Sequence, residues 1–210
     1  MTLPDCLSYI DAIIYINLDH RTDRNQHVIE EIKKIDPTLS KTHRVAAHFV
    51  PEHGALGCSI SHTKALELCR NHPEWKRCLI LEDDFTFLSS PNDQIMEMIL
   101  SCESFDVLLL AYGHDGFVTK PTESPHIHRV YSSQTTSGYI VHANYLATLL
   151  KNYQESSDIL YVRGHCHEGC LDQHWKQLMP EGKWYTYDKR IGYQYATFSD
   201  IENRFHNYEC

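Results

Sequence analysis

The chain has 210 residues, of which 42% are hydrophobic and 22% are charged, and its formal net charge at pH 7 is -9. This is the composition of an ordinary globular protein, and we expect one domain over residues 1–210. The negative charge argues against a nucleic-acid partner, and no apolar stretch reaches the roughly 20 residues that a membrane span needs.

Apolar strands alternate with amphipathic helices along the first half of the chain. Residues 11–18 predict a buried strand rich in isoleucine. Residues 22–35 repeat isoleucine and valine at helical spacing, with Thr22 as the expected N-cap. Residues 59–72 then predict a second helix, and residues 78–85 (CLILEDDF) predict a second buried strand.

The second half of the chain continues this alternation. Ser90 is the expected cap of a third helix, with Pro91 at its first position. Residues 105–113 predict a further buried strand, and residues 137–152 predict a strand that leads into a helix. Residues 113–134 are polar and are expected to form a long loop or an irregular hairpin. Together these patterns predict an α/β fold with a mostly parallel, doubly wound sheet.

Three consecutive acids, Glu82, Asp83 and Asp84, stand at the end of the second predicted strand. In doubly wound sheets, ligands bind at the carboxyl ends of the strands. Mg²⁺ and Mn²⁺ prefer carboxylate ligands, often together with substrate phosphates. The triplet therefore predicts a divalent-metal site. The alternative is a solvated strand end whose acids serve as caps or turn residues.

Three stretches, taken in order, resemble glycosyltransferase family 25, which includes bacterial lipopolysaccharide glycosyltransferases and procollagen galactosyltransferases. They are residues 13–24 (IIYINLDHRTDR), 54–62 (GALGCSISH) and 79–85 (LILEDDF). Further resemblance to the later strand–helix unit, the acidic helix and the closing segment of the family is found in residues 137–150, 171–179 and 194–202. The resemblance therefore spans most of the chain.

The family resemblance implies a single GT-A-type, Rossmann-like domain that binds a UDP-sugar together with Mn²⁺ or Mg²⁺. Residues 13–112 would form the donor- and metal-binding half, and residues 130–210 the acceptor side. The implied reaction is an inverting transfer of a hexose, galactose in preference to glucose, to a hydroxyl of a glycan or of a hydroxylysine-bearing, collagen-like protein. A catalytically inactive module that binds nucleotides or glycans on the same fold is the alternative.

The resemblance also implies roles for individual residues. Asp84 is the expected metal ligand, and Asp172 is the expected base that deprotonates the acceptor hydroxyl. His174 is a candidate second metal ligand, although nothing in the sequence chooses between it and His206. The expected donor-binding residues are Asn17, Arg21, Arg24, Gly57, His62, Glu82 and Asp83.

Several of these side chains have a structural alternative. Arg21 and Arg24 can offer planar guanidinium donors to diphosphate oxygens, but they could also form a solvated helix start with Asp19 and Asp23 as partners. His62 could equally be a structural residue. The glycines of the second motif, Gly54 and Gly57, are expected to let the backbone turn tightly.

Asp172 also has a structural alternative, because an acid at a helix start is favoured by the helix dipole. The family often has Asp-Glu where this chain has Asp172 and Gln173, which leaves open whether a second carboxylate assists. Trp175 could stack on a sugar face, but we expect it to fill the core.

The segment 165–174 (HCHEGCLDQH) concentrates histidine and cysteine, which are the ligand types of zinc sites. A disulfide and an ordinary acceptor-side loop are the other interpretations. The first 20 residues have no signal-peptide pattern, so we expect reduced thiols and a cytoplasmic protein of bacterial or large-virus origin, in the host cytoplasm if viral.

Overall fold

The computed structural model describes residues 5–88, 91–102, 104–199 and 204–206. Ser90, the expected helix cap, and residues 200–202 of the closing segment lie outside the described residues. Within the described ranges, no helix is both long enough and apolar enough to cross a membrane.

Helices and strands alternate as the sequence predicts. The α-helices of the described residues are α1 (Thr22–Ile32), α2 (Gly54–Arg70), α3 (Pro91–Ser101), α4 (Leu146–Arg163) and the short α5 (Leu171–His174). The strands are β1 (Ala12–Asn17), β2 (Thr42–Ala46), β3 (Arg77–Glu82), β4 (Phe85–Phe87), β5 (Val107–Leu109), β6 (Val118–Pro121), β7 (Ile127–Ser132), β8 (Gly138–His142), β9 (Trp184–Tyr187), β10 (Gly192–Gln194), β11 (Thr197–Ser199) and β12 (Arg204–His206).

The central sheet has eight strands in the order β2-β1-β3-β8-β5-β9-β7-β6. Strand β1 pairs in parallel with β2 and β3, and β5 pairs in parallel with β9. Strand β8 is antiparallel to both β3 and β5, and β7 is antiparallel to β9 and β6. All strands of the central sheet except β7 and β8 therefore point the same way, which confirms the predicted α/β fold with a mostly parallel sheet.

Both faces of the sheet are covered, which explains why every residue of β1 is buried. Ile13 belongs to one hydrophobic cluster, which includes Val28 of α1 and Ile95 of α3. Ile14 points to the opposite face and belongs to a second cluster, which includes Ala65 of α2. Because side chains alternate along a strand, one isoleucine-rich run serves two cores.

Helix boundaries differ from the sequence expectations at two places. Thr22 is the first helical residue of α1 and Arg21 occupies the N-cap position, so the expected Thr22 cap is wrong. Helix α2 begins at Gly54 rather than near residue 59, and both of its glycines are helical instead of forming a tight turn. Helix α3 does begin at Pro91.

Residues 113–134 form an irregular hairpin, as one of the two expectations for this segment proposed. Strands β6 and β7 pair with a register shift between Val118 and Thr119. Strand β7 also pairs with β9, so the hairpin extends the central sheet. The main chain then passes through residues 133–137 into β8.

Candidate functional site

A cavity opens at the carboxyl ends of β1, β2 and β3. The chain leaves β1 for β2 on one side and returns to β3 on the other, so this edge is a topological switch point of the sheet. Ligands bind at such places in open α/β sheets. The cavity lining includes residues 47–50, the start of α2, the acidic triplet and Gln194.

The acidic triplet lies in the wall of this cavity. Glu82 is the last residue of β3, and Asp83 and Asp84 form the turn into β4. Asp83 is 6% exposed and Asp84 is 4% exposed. The alternative of a solvated strand end is therefore wrong, because the two aspartates are buried beside a cleft.

Arg24, from the first turn of α1, supplies positive charge to these acids. Its Nη1 atom lies 3.0 Å from Oδ1 of Asp83 and 3.2 Å from Oδ2 of Asp84. The Gln194 side chain donates a further hydrogen bond to Oδ1 of Asp84 over 3.2 Å. The guanidinium is buried with its partners, so the expected solvated helix start with Asp19 and Asp23 is wrong for Arg24.

Burial and mutual repulsion disfavour the charged forms of the two aspartates. Burial, followed by the charge of Glu82, raises the pKa of Asp84 to about 7, although Arg24 opposes the shift. Burial also raises the pKa of Asp83, against the opposing effect of Arg24. The turn is therefore a place where added positive charge would be favourable.

Glu82 faces His62 of α2. Its Oε1 atom lies 3.1 Å from Nε2 of His62 and accepts a hydrogen bond from the Thr136 hydroxyl over 2.8 Å. Burial tends to raise the pKa of Glu82, but the contact with His62 and the Thr136 hydroxyl outweigh it and lower that pKa. Nδ1 of His62 lies 3.2 Å from the Tyr139 hydroxyl, so both ring nitrogens have partners.

Asn17 ends β1 and contacts the triplet directly. Its Nδ2 atom donates to Oδ2 of Asp83 over 2.7 Å and to the Arg21 carbonyl over 3.0 Å. Its Oδ1 atom accepts from the Arg44 guanidinium. These contacts hold the Asp83 carboxylate in place. The Arg21 side chain pairs over 2.9 Å with Asp23, one of the two partners that the structural alternative named, whereas Asp19 pairs with Arg44; Arg21 does not line the cavity.

Gly57 brings a wall of the cavity close to α2. A Cβ atom on Gly57 would lie 2.5 Å from the His48 carbonyl oxygen, so only glycine permits this approach. The Ser61 hydroxyl accepts the His48 N–H over 2.8 Å and fixes the same segment. Phe49 follows it, 56% exposed, with its ring edge-to-face against His20.

Asp172 lies in the first turn of α5. Its carboxylate accepts the Thr135 N–H over 3.2 Å. Burial raises the pKa of Asp172, with a contribution from the charge of Glu82, while the Thr135 N–H opposes the shift. Asp172 is thus within electrostatic reach of the triplet, although it is not part of the cavity lining.

His174 points toward α4 rather than toward the triplet. Its Nε2 atom lies 3.6 Å from Glu155 and 3.1 Å from Nε2 of Gln177. The side chain of His206 lies outside the described part of the structure. Trp175 is fully buried and donates to the Ser133 carbonyl, which confirms that it fills the core.

Zinc was one of three interpretations of residues 165–174, and the described residues of this segment do not form a group of three converging metal ligands. Cys166 and Cys170 are free thiols, so the disulfide alternative is also wrong. Among the residues that the structure describes, three metal-ligating side chains converge within 4.8 Å only at Cys58, His62 and Glu82. Sequence reasoning missed Cys58, although its spacing of four from His62 places both on one face of a helix.

No family model matches the sequence, and a comparison with curated proteins finds no match. Several solved structures do match the fold. A197 from STIV has a TM-score of 0.55 at 10% identity, over 93% of each chain. A glycosyltransferase involved in the glycosylation of the major capsid of PBCV-1 has a TM-score of 0.51 at 12% identity, over 84% of this chain and 81% of that one.

UDP-glucose pyrophosphorylase, solved in complex with UDP-glucose, is a third structure of the same fold. Its TM-score is 0.51 at 9% identity, over 88% of this chain and 74% of the pyrophosphorylase. At these identities the likeness concerns the fold, and it does not single out glycosyltransferase family 25. The chain therefore has the GT-A-like fold that glycosyltransferases and nucleotidyltransferases share.

Proposed function

We propose that the chain is an inverting glycosyltransferase that moves a hexose, galactose in preference to glucose, from a UDP-sugar to a hydroxyl of a glycan or of a hydroxylysine-bearing protein. The observation that carries the proposal is the acidic turn of residues 82–84, with Asp83 and Asp84 buried, at a cavity on the topological switch point. Solved structures of this fold include a glycosyltransferase and a pyrophosphorylase bound to UDP-glucose, which supports a nucleotide-sugar substrate.

The carboxylates present fit a hard divalent cation such as Mn²⁺ or Mg²⁺. Asp84 lines the cavity, and its two oxygens are held by Arg24 and Gln194. A cation bound there would neutralise the donor diphosphate and favour its departure. Such binding requires Asp84 to be ionised and to share its contact with Arg24. His174 remains a proposed second ligand only if its side chain turns away from Glu155.

The donor would lie along residues 13–112 and the acceptor along residues 130–210. Arg24 lines the cavity, and its guanidinium would pair with the donor diphosphate while it stays beside Asp83 and Asp84. Phe49 offers an exposed ring at the same cleft for stacking with the nucleobase. Glu82 and Asp83 would accept hydrogen bonds from ribose or sugar hydroxyls.

Asp172 is the proposed base on the acceptor side. The acceptor oxygen forms its bond to the anomeric carbon from the face opposite UDP, and the bond from that carbon to the diphosphate oxygen breaks. The electron pair of the broken bond leaves with UDP, and the acceptor proton passes to Asp172. A base is more effective when its pKa approaches the working pH, and burial moves the pKa of Asp172 upward in that direction.

An inactive binding module on the same fold is the second candidate function. The observation that favours it is the pairing of Arg24 with both Asp83 and Asp84, because the acids already have a cationic partner inside the protein. Such a module would bind UDP or a glycan without cleaving the donor.

Release of UDP from a panel of UDP-sugars, with Mn²⁺ or with EDTA, tests the proposal. We expect turnover of one sugar by the wild type, loss of that turnover with EDTA, and loss in Asp84→Asn. In Asp172→Asn, UDP binding measured by calorimetry should persist while transfer is lost. The exposed Asp115→Asn variant is the matched control and should behave as the wild type.

Two outcomes would contradict this mechanism. Turnover that survives both EDTA and Asp84→Asn would remove the metal role. UDP binding without turnover of any sugar, in the presence of a glycan and a collagen-like peptide as acceptors, would favour the inactive module.

A further inference from the structure

Three side chains of different chemistry converge beside the acidic turn. Cys58 and His62 are four residues apart on α2 and so lie on one face of the helix, which faces Glu82 at the end of β3. The Sγ atom of Cys58, a ring nitrogen of His62 and a carboxylate oxygen of Glu82 lie within 4.8 Å of one another. All three residues line the cavity.

These separations are close to those of a tetrahedral metal shell. Zinc–nitrogen and zinc–oxygen bonds of about 2.0–2.1 Å place neighbouring ligand atoms about 3.3 Å apart in a tetrahedron. Nε2 of His62 and Oε1 of Glu82 are already 3.1 Å apart. The Sγ atom of Cys58 lies within 4.8 Å of both of these atoms, and a zinc–sulfur bond of about 2.3 Å would place it about 3.6 Å from them, so the adjustment needed is at most about 1 Å.

Neighbouring side chains fix the orientation of His62 and Glu82. The Tyr139 hydroxyl lies 3.2 Å from Nδ1 of His62, which leaves Nε2 directed at Glu82. The Thr136 hydroxyl donates to the Glu82 carboxylate over 2.8 Å. Contacts of this kind fix the ring and the carboxylate of metal ligands in known metalloproteins.

We propose that Cys58, His62 and Glu82 form a zinc site whose fourth position opens into the cavity. A thiolate, an imidazole and one carboxylate match Zn²⁺, whereas Mg²⁺ and Mn²⁺ prefer oxygen ligands. Three protein ligands with an open fourth position are typical of zinc that binds a water molecule or an anionic oxygen. Because Zn²⁺ would displace the proton of the Cys58 thiol, the occupied site would add one net positive charge beside the acidic turn.

This zinc site does not depend on sugar transfer and differs from the cation proposed at Asp84. A phosphate oxygen of a nucleotide that enters the cavity is the class of ligand that its open position would take. The two metal sites can therefore be tested separately.

Titration of the chelator-treated protein with Co²⁺, followed by Zn²⁺ competition, tests the proposal. We expect one equivalent of Co²⁺ to produce a thiolate-to-cobalt charge-transfer band in the near ultraviolet, which one equivalent of Zn²⁺ abolishes. Cys58→Ser should lose the band and at least tenfold of the zinc affinity. Glu82→Gln should keep the band with weaker affinity, and circular dichroism establishes that each variant folds.

Two variants serve as matched controls. Cys166→Ser removes another partly buried thiol and should keep the band. Asp84→Asn should keep the band even where metal-dependent sugar turnover is lost, which separates this proposal from the proposed function. A band that persists in Cys58→Ser, or less than a tenth of an equivalent of bound zinc in the wild type, would overturn the zinc site.

Discussion

Replacement of Asp84 by asparagine should change how the stability of the protein depends on pH. Burial and the charge of Glu82 raise the pKa of Asp84 from an ordinary 3.8 to about 7 in the folded chain. Between about pH 4 and pH 7, the folded chain therefore holds a proton on Asp84 that the unfolded chain has released. The amide of Asp84→Asn has nothing to titrate, while Arg24 keeps its ion pair with Asp83.

The sign of this effect follows from proton linkage. Stability falls as pH rises wherever the folded state binds more protons than the unfolded state, by about 1.4 kcal/mol per pH unit for one group. From pH 5 to pH 8, the loss attributable to Asp84 is at most about 3 kcal/mol. Because Glu82 and Asp83 titrate together with Asp84, we expect a measured difference of about 1–3 kcal/mol.

Urea unfolding at pH 5 and pH 8, in the presence of EDTA, measures this difference. We expect the free energy of unfolding of Asp84→Asn minus that of the wild type to be larger at pH 8 than at pH 5, because only the wild type loses stability as Asp84 ionises. The exposed Asp115→Asn variant is the control and should follow the wild type at both pH values. Equal pH dependence in the wild type and Asp84→Asn would refute the idea that the buried turn stores this electrostatic strain.

Two further substitutions test the scaffold of the site. Gly57→Ala should destabilise the fold by about 1–3 kcal/mol, because the new Cβ atom would lie 2.5 Å from the His48 carbonyl oxygen. A midpoint temperature of thermal unfolding that is equal to or higher than that of the wild type would show that the His48 segment can move away. Asp36→Asn should remove stability above about pH 4, because the buried carboxylate accepts the Ser40 and Lys41 N–H groups, which outweigh burial and lower its pKa. Urea unfolding at pH 7 and at pH 3 should show a smaller difference between variant and wild type at the lower pH, and an equal difference would contradict this role.

The order and type of the main elements could be predicted because the signals are local. The isoleucine run of β1, the helical spacing after it and the Pro91 helix start each depend on a few neighbouring residues. The position of the acidic turn at the end of β3 was predicted for the same reason. Helix starts were less predictable, since Thr22 and Gly54 can each stand inside a helix or just before it.

The partners of the site residues could not be predicted because they are distant in the chain. Arg24 reaches Asp83 from 59 positions away, a contact that exists only after α1 packs beside the end of β3. His174 occupies one turn of a short helix whose direction is set by packing on α4, so it faces Glu155. The spacing of residues within a motif does not indicate that Arg24 contacts Asp83 or that His174 faces Glu155.

The sequence alone is sufficient to predict an α/β chain with buried strands and three acids at the end of one of them. Hydrophobic periodicity is a property of neighbouring residues, so it can be recognised in the sequence without knowledge of the fold. The three-dimensional contacts are needed to show that Arg24 pairs with two of these acids, that Cys58 and His62 face the third, and that Asp83 and Asp84 are buried. These facts depend on which strands and helices the sheet order brings together, and that order is set by packing of the whole chain.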